Sequence, residues 1–156
     1  MKGNAKVIAL LNDFLADELT AISQYMVHSE MCANWGYERL HKAVEKRAID
    51  EMKHAEKLIG RILFLEGNPI VSKLNKINIG AAVDAQLKND LAAEGGAIKA
   101  YNEGIRLCSE LGDNGTRTLI EDNLKDEEDH LDWLEAQLDQ INHMGLQNYL
   151  LSQTDE

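Results

Sequence analysis

Apolar residues recur at three- and four-residue steps through most of this chain, as they do on amphipathic helices. Val7, Leu10, Leu11, Phe14, Leu15, Ile22, Tyr25 and Met26 form such a stripe near the start. The pattern predicts four long helices, over about 5–35, 39–66, 82–111 and 116–143, and a short fifth over 146–153 after Gly145. The breaks "NWGYE" at 34–38 and "LGDNGT" at 111–116 are rich in turn residues, so each joins its helices as an antiparallel hairpin. The middle connection, "EGNPIVSKLNKINIG", carries the single proline and is too long for a hairpin. A helix of some 28 residues spans about 42 Å, a distance that about 15 extended residues can retrace. An all-α bundle of four helices with one long crossover follows, helices two and three running parallel, in a single domain over 1–156.

One residue breaks the first stripe. Glu18 sits inside it, where a carboxylate is costly unless paired. A second irregularity is "EMKH" at 51–54, echoed by "EEDH" at 127–130. Shifting the second half by 76 positions superposes eight pairs: Glu18 on Glu94, Ala21 on Ala97, Ile22 on Ile98, Tyr25 on Tyr101, Cys32 on Cys108, Glu51 on Glu127, His54 on His130 and Leu58 on Leu134. A duplicated helix hairpin explains that register.

In each half a lone glutamate precedes the Glu of an ExxH by 33 residues (18 to 51, 94 to 127). Glu and His three apart on a helix point the same way one turn apart, and so can grip one ion. Four carboxylates and two imidazoles turned into one core need cations to neutralise them. Oxygen-rich ligation with one His per ion suits iron or manganese better than structural zinc. The arrangement matches the di-iron carboxylate site of ferritin-like bundles, one Glu from each of two helices and an ExxH from each of the others. A single ExxH would read as an ordinary solvated helix face; six residues in duplicated register do not. His28, His41 and His143 have no counterparts in the repeat and read as surface histidines, and Cys32 and Cys108 as small core residues.

Composition narrows the function. The chain is 44% hydrophobic, 28% charged and carries a formal net charge of −11, with no run of Lys or Arg, which argues against nucleic acid and favours cationic ligands. No stretch approaches the length of a membrane span, and nothing resembles a signal peptide. Two isolated cysteines point to a reducing cytoplasm.

The sequence resembles the bacterioferritin family from "MKG" to "MGLQNYL" at 144–150, with "DEMKHA" and "RILFLEG" the most specific stretches. That resemblance implies a homo-oligomeric shell of 24 subunits built of dimers, a ferroxidase centre in each subunit, b-type haem shared between subunits, and a ferredoxin that donates electrons for iron release. It also implies Glu18, Glu51, His54, Glu94, Glu127 and His130 as iron ligands, with Glu51 and Glu127 bridging, and Met52 as haem ligand. Met52 lies roughly 100° around the helix from Glu51, so it points out of the bundle, near Ile49, Ile59 and Leu63. Some family members carry His at position 46 for an inner-surface iron site with Asp50; here that position is Lys46. Tyr25 and Tyr101, on the inner face, supply an electron or hold a ligand. The expected activity is Fe(II) oxidation by dioxygen or peroxide followed by storage of ferric mineral. Two alternatives stand beside it: a di-iron oxidase or peroxidase of rubrerythrin type, whose usual Cys-rich module this chain lacks, and a non-catalytic bundle stabilised by metal.

Overall fold

The computed structural model describes residues 1–155. They form α1 (Ala5–Trp35), α2 (Glu38–Phe64), α3 (Val83–Glu110), α4 (Asn114–Met144) and the short α5 (Leu146–Leu151), with no strand among the described residues. The boundaries differ from the sequence reading by one or two residues, and local chemistry says why. Helix α4 begins at Asn114 because the Asp113 carboxylate accepts from the Thr116 amide at 3.0 Å, an N-cap. At the other end of α2, Glu66 takes φ 62, with Gly67 and Pro69 just beyond.

The duplication extends further than the eight pairs. Gly36 (φ 85) ends α1, with Gly36 N–H donating to Ala33 O and Tyr37 N–H to Cys32 O. Gly112 (φ 71) ends α3 in the same way, Gly112 N–H donating to Ser109 O and Asp113 N–H to Cys108 O. Both are left-handed caps of the Schellman type, which glycine adopts without the Cβ penalty. Val7 and Leu11 likewise fall 76 positions before Val83 and Leu87, and all four are buried.

Two apolar clusters flank the middle of the bundle. One packs Val7 and Leu11 from the start of α1 against Ile62 near the end of α2, Cys108 near the end of α3 and Ile120 near the start of α4. The other joins Cys32 and Leu40 at the first hairpin turn to Val83, Leu87, Leu134 and Tyr149 of α5. Because α2 and α3 both finish at the first cluster they run parallel, and the hairpins α1–α2 and α3–α4 are antiparallel. This is the four-helix bundle with one long crossover and a short C-terminal helix.

The crossover, residues 65–82, returns along α1 and is pinned to it at successive turns. Asn12 holds Ile70 N–H at 2.9 Å, Thr20 Oγ1 accepts from Asn75 N–H at 2.8 Å, and Gln24 Oε1 accepts from Asn78 N–H at 3.1 Å. His28 Nε2 accepts from Gly80 N–H at 3.0 Å, and its Nδ1 donates to Asp90 Oδ1 at 2.9 Å. His28 is therefore fully buried, which overturns its reading as a surface residue. Its partners lie 52 and 62 residues away, so no local pattern announces it. A side chain at Gly80 would meet the Gln86 amide nitrogen at 2.4 Å, which is why glycine stands where the strap closes on α3.

Candidate metal centre

Glu18 of α1, Glu51 and His54 of α2, Glu94 of α3, and Glu127 and His130 of α4 meet between the two apolar clusters. Each is exposed by only 1–3%. Their ligand atoms form two overlapping groups, Glu18, Glu51, His54 and Glu127 in one and Glu51, Glu94, Glu127 and His130 in the other, with the atoms of each within 4.8 Å of one another. Glu51 and Glu127 belong to both, and so stand between two cation positions. Two helical hairpins related by the sequence repeat explain the symmetry, each contributing one terminal carboxylate and one ExxH.

Both imidazoles turn Nδ1 inward. His54 Nδ1 lies 3.2 Å from Glu51 Oε2, 2.9 Å from Glu127 Oε1 and 3.7 Å from Glu18 Oε2. His130 Nδ1 lies 3.1 Å from Glu51 Oε1 and 3.5 Å from Glu94 Oε1. The outward Nε2 of His54 is 2.8 Å from Asp126 Oδ2, and that of His130 is 3.3 Å from Asp50 Oδ2. A carboxylate at Nε2 keeps the proton there and leaves the Nδ1 lone pair for an ion. Sequence reasoning missed these two aspartates as partners of the histidines. The signal was present, because Asp50 and Asp126 are themselves 76 apart and each precedes its ExxH directly.

The two tyrosines cross the bundle. Tyr25 OH donates to Glu94 Oε1 at 2.5 Å and Tyr101 OH to Glu18 Oε1 at 2.5 Å, while Asn123 Nδ2 approaches the Tyr101 oxygen at 3.4 Å. Each phenol thus fixes one oxygen of a terminal carboxylate. The other oxygens, Glu18 Oε2 and Glu94 Oε2, have no hydrogen-bond partner, nor does Glu127 Oε1, whose contact with His54 lacks hydrogen-bond alignment. Buried carboxylate oxygens without donors are expensive, on the order of several kcal/mol for a charged group. Their convergence is what a pair of cations would relieve.

Electrostatics describe the same frustration in the protein alone. Burial, then the charges of Glu18 and Glu127, push the Glu51 carboxyl well above the ordinary range. Glu94 is raised likewise by burial and by Glu127. Burial opposes ionisation of Glu18 too, but contacts with Glu51, His54 and Tyr101 outweigh it and its pKa falls. Burial by itself would lower His54, yet Glu127, Glu18 and Asp126 drive it up to about 11. These directions all favour the protonated forms of His54, Glu51 and Glu94 in the protein alone, so a bound ion competes with protons at the cluster.

Two pockets adjoin the centre on opposite faces of the bundle. Between α1 and α3, under the crossover, a cavity of about 350 Å³ runs from Asp17, Asn75 and Asn89 to Glu18, Glu94 and Glu127. On the α2–α4 face a pocket of about 220 Å³ is lined by Lys46, Asp50, Asp126, Asp129 and His130. Lys46 Nζ lies 3.4 Å from Asp50 Oδ2, so its ammonium partners the carboxylate that also faces His130.

Met52 is 45% exposed on the outside of α2. With Ile22, Met26 and Ile49 it lines an apolar groove of about 320 Å³ between α1 and α2. Met26, read as part of the buried stripe, is 53% exposed and belongs to this groove, because Tyr25 beside it takes the inward position. Leu63 is exposed as well, whereas Ile59 packs against the first apolar cluster.

Comparison with known proteins identifies the family of the chain. The ferritin-like domain family matches residues 8–144. The bacterioferritin of Rhodobacter capsulatus is 44% identical over 151 residues, spanning 97% of this chain and 94% of the relative. That of Brucella melitensis is 43% identical over 149 residues (96% and 92%), and the bacterial ferritin of Paramagnetospirillum magnetotacticum 44% over 159 residues (97% and 94%). The chain belongs to the bacterioferritin family of ferritin-like proteins.

Proposed function

We propose that this protein stores iron and oxidises it on entry, with Glu18, Glu51, His54, Glu94, Glu127 and His130 binding two Fe(II) ions as substrate. The observation that carries the reading is the pair of overlapping four-residue groups with unpartnered carboxylate oxygens at their heart. Glu51 and Glu127 bridge the two ions, Glu18 and His54 complete one position, and Glu94 and His130 the other. Each Fe(II) gives up one electron. Hydrogen peroxide takes both and leaves as two hydroxide ions, or dioxygen takes both with two protons and leaves as hydrogen peroxide. The negative ligand set favours the Fe(III) product over the Fe(II) reactant. Asp126 and Asp50 hold the imidazoles in the tautomer that binds an ion, and Tyr25 and Tyr101 hold the terminal carboxylates.

The rest of the reading concerns assembly. The chain folds as one ferritin-like domain over its whole length and assembles through dimers into a hollow shell of 24 copies, in which the exposed Met26, Ile49, Met52, Leu63 and Phe64 become subunit contacts. Met52, a half-exposed thioether beside Ile22, Met26 and Ile49, is the residue that would hold a b-type haem. Met52 from each of two subunits would hold it, and it supplies electron transfer during iron release, with a ferredoxin as donor. The protein works in the cytoplasm; Cys32 and Cys108 are buried free thiols, and among the described residues no helix is long and apolar enough to cross a membrane.

Aerobic addition of Fe(II) to the metal-free protein tests the reading. Rapid oxidation with many irons retained per subunit is expected. Uptake of two metals without oxidation would leave a structural metal site in its place.

A further inference from the structure

A third convergence of metal-binding side chains lies away from the buried centre. Glu30 of α1 and His41 and Glu45 of α2 bring a carboxylate oxygen, an imidazole nitrogen and a second carboxylate oxygen within 4.8 Å of one another. His41 and Glu45, four apart, share one face of α2, and Glu30 reaches them from the neighbouring helix.

The orientation of His41 decides what the cluster can do. Its Nδ1 lies 3.0 Å from the Ser29 main-chain oxygen and 3.1 Å from Ser29 Oγ. A carbonyl oxygen only accepts, so Nδ1 carries a proton, and in the neutral ring Nε2 presents its lone pair. That is how metal-binding histidines are commonly held, the outer nitrogen donating to a main-chain carbonyl. Nε2 faces Glu45 Oε2 at 3.7 Å, beyond hydrogen-bond range. In the neutral ring that lone pair and the carboxylate oxygen do not attract each other, and a metal cation between them, in place of the proton an imidazolium would carry there, satisfies both.

The internal repeat supplies a comparison. Positions 106, 117 and 121, each 76 residues on, are Arg106, Arg117 and Glu121. There Arg117 Nε donates to Glu121 Oε1 at 2.7 Å, and the second half closes its charge with its own guanidinium. In the first half the equivalent place holds two carboxylates and an imidazole instead.

We propose that Glu30, His41 and Glu45 form a separate surface site for a divalent first-row transition cation. One imidazole nitrogen with two carboxylates suits Zn2+, Co2+ or Fe2+, whereas Mg2+ and Ca2+ take oxygen ligands. In the single subunit the Glu45 side chain is 53% and the His41 side chain 18% exposed, which leaves water a route to the ion from the rim of the groove. Glu30 and Glu45 also line the groove that holds Met52, so the ion sits at that groove's rim.

Zn2+ titration of the metal-free, assembled protein tests this, combined with diethyl pyrocarbonate labelling of imidazoles read by peptide mass spectrometry. Zn2+ should protect His41 from acylation, in the unsubstituted chain and in a His54→Ala/His130→Ala chain whose buried centre is disabled. Glu45→Gln, at an exposed position that leaves folding intact, should raise the half-protecting Zn2+ concentration at least tenfold. His41→Ala should remove one Zn2+ per subunit from the stoichiometry. Equal labelling of His41 with and without Zn2+, protection indifferent to Glu45→Gln, or an unchanged stoichiometry in His41→Ala would each overturn the site. Because protection is read in the centre-disabled chain too, its failure is distinct from failure of the ferroxidase reading.

Discussion

Asp126 of the second hairpin stands 2.8 Å from Nε2 of His54 in the first, and Asp50 of the first stands 3.3 Å from Nε2 of His130 in the second. Each half of the duplicated chain thus orients the histidine of the other. Such outer partners fix the ring and tautomer that a bound ion requires.

Substituting Asp126 by Asn should therefore weaken metal at the His54 position by roughly 10- to 100-fold while leaving the fold assembled. Asp50→Asn should have the smaller effect, because its contact is longer and Lys46 shares the carboxylate. Anaerobic Co2+ titration, with the d–d bands as the readout, measures both. Equal affinities in the two variants and the unsubstituted chain would remove the aspartates from the centre.

Metal-free protein should lose stability as pH rises. His54 is raised in the fold from 6.5 to about 11, so its contribution is complete below 6.5 and is lost as pH climbs through about 11. Glu51 and Glu94 are also raised, which acts in the same direction from 4.5 upward, whereas the lowered Glu18 acts oppositely, at the acid end. Thermal unfolding scanned from pH 6.5 to 11 should show a falling midpoint without metal and a flatter profile with Co2+ bound, since the ions replace the protons. A midpoint that rises with pH in the metal-free protein would contradict the assigned protonation.

Met52→Leu should keep fold and ferroxidation but lose haem, because Leu preserves apolar volume and lacks the sulfur ligand. Visible spectra of the variant expressed with haem available report this through the Soret band. Full haem content would return Met52 to a packing role.

Much of this architecture is legible in the sequence because it is periodic. The 3.6-residue stripes place α1 to α4, and the 76-residue register aligns Glu18, Glu51 and His54 with Glu94, Glu127 and His130 in the sequence itself. What escapes is whatever depends on contact between distant segments without a repeat to mark it. His28 is buried because Gly80 and Asp90 close over it, and neither lies near it in sequence. Met26 falls on the apolar stripe by spacing alone, yet faces the groove beside Met52. Asp50 and Asp126 were readable through the repeat, but aspartates next to a glutamate look like ordinary solvated charge until the histidines are seen facing them.

If one pseudo-symmetric centre oxidises two Fe(II) ions together, the loss of His54 or of His130 should disable both. Anaerobic Fe(II) titration followed by stopped-flow oxidation should compare His54→Ala, His130→Ala and the double variant. Each single variant should bind one Fe(II) tightly and a second poorly, and oxidise slowly, because the two-electron step needs both ions. The double variant should be little slower than either single, since residues acting as a unit are not additive. Independent, multiplicative losses from the two histidines, with each single variant still oxidising its remaining iron at speed, would mean two separate sites and no shared centre.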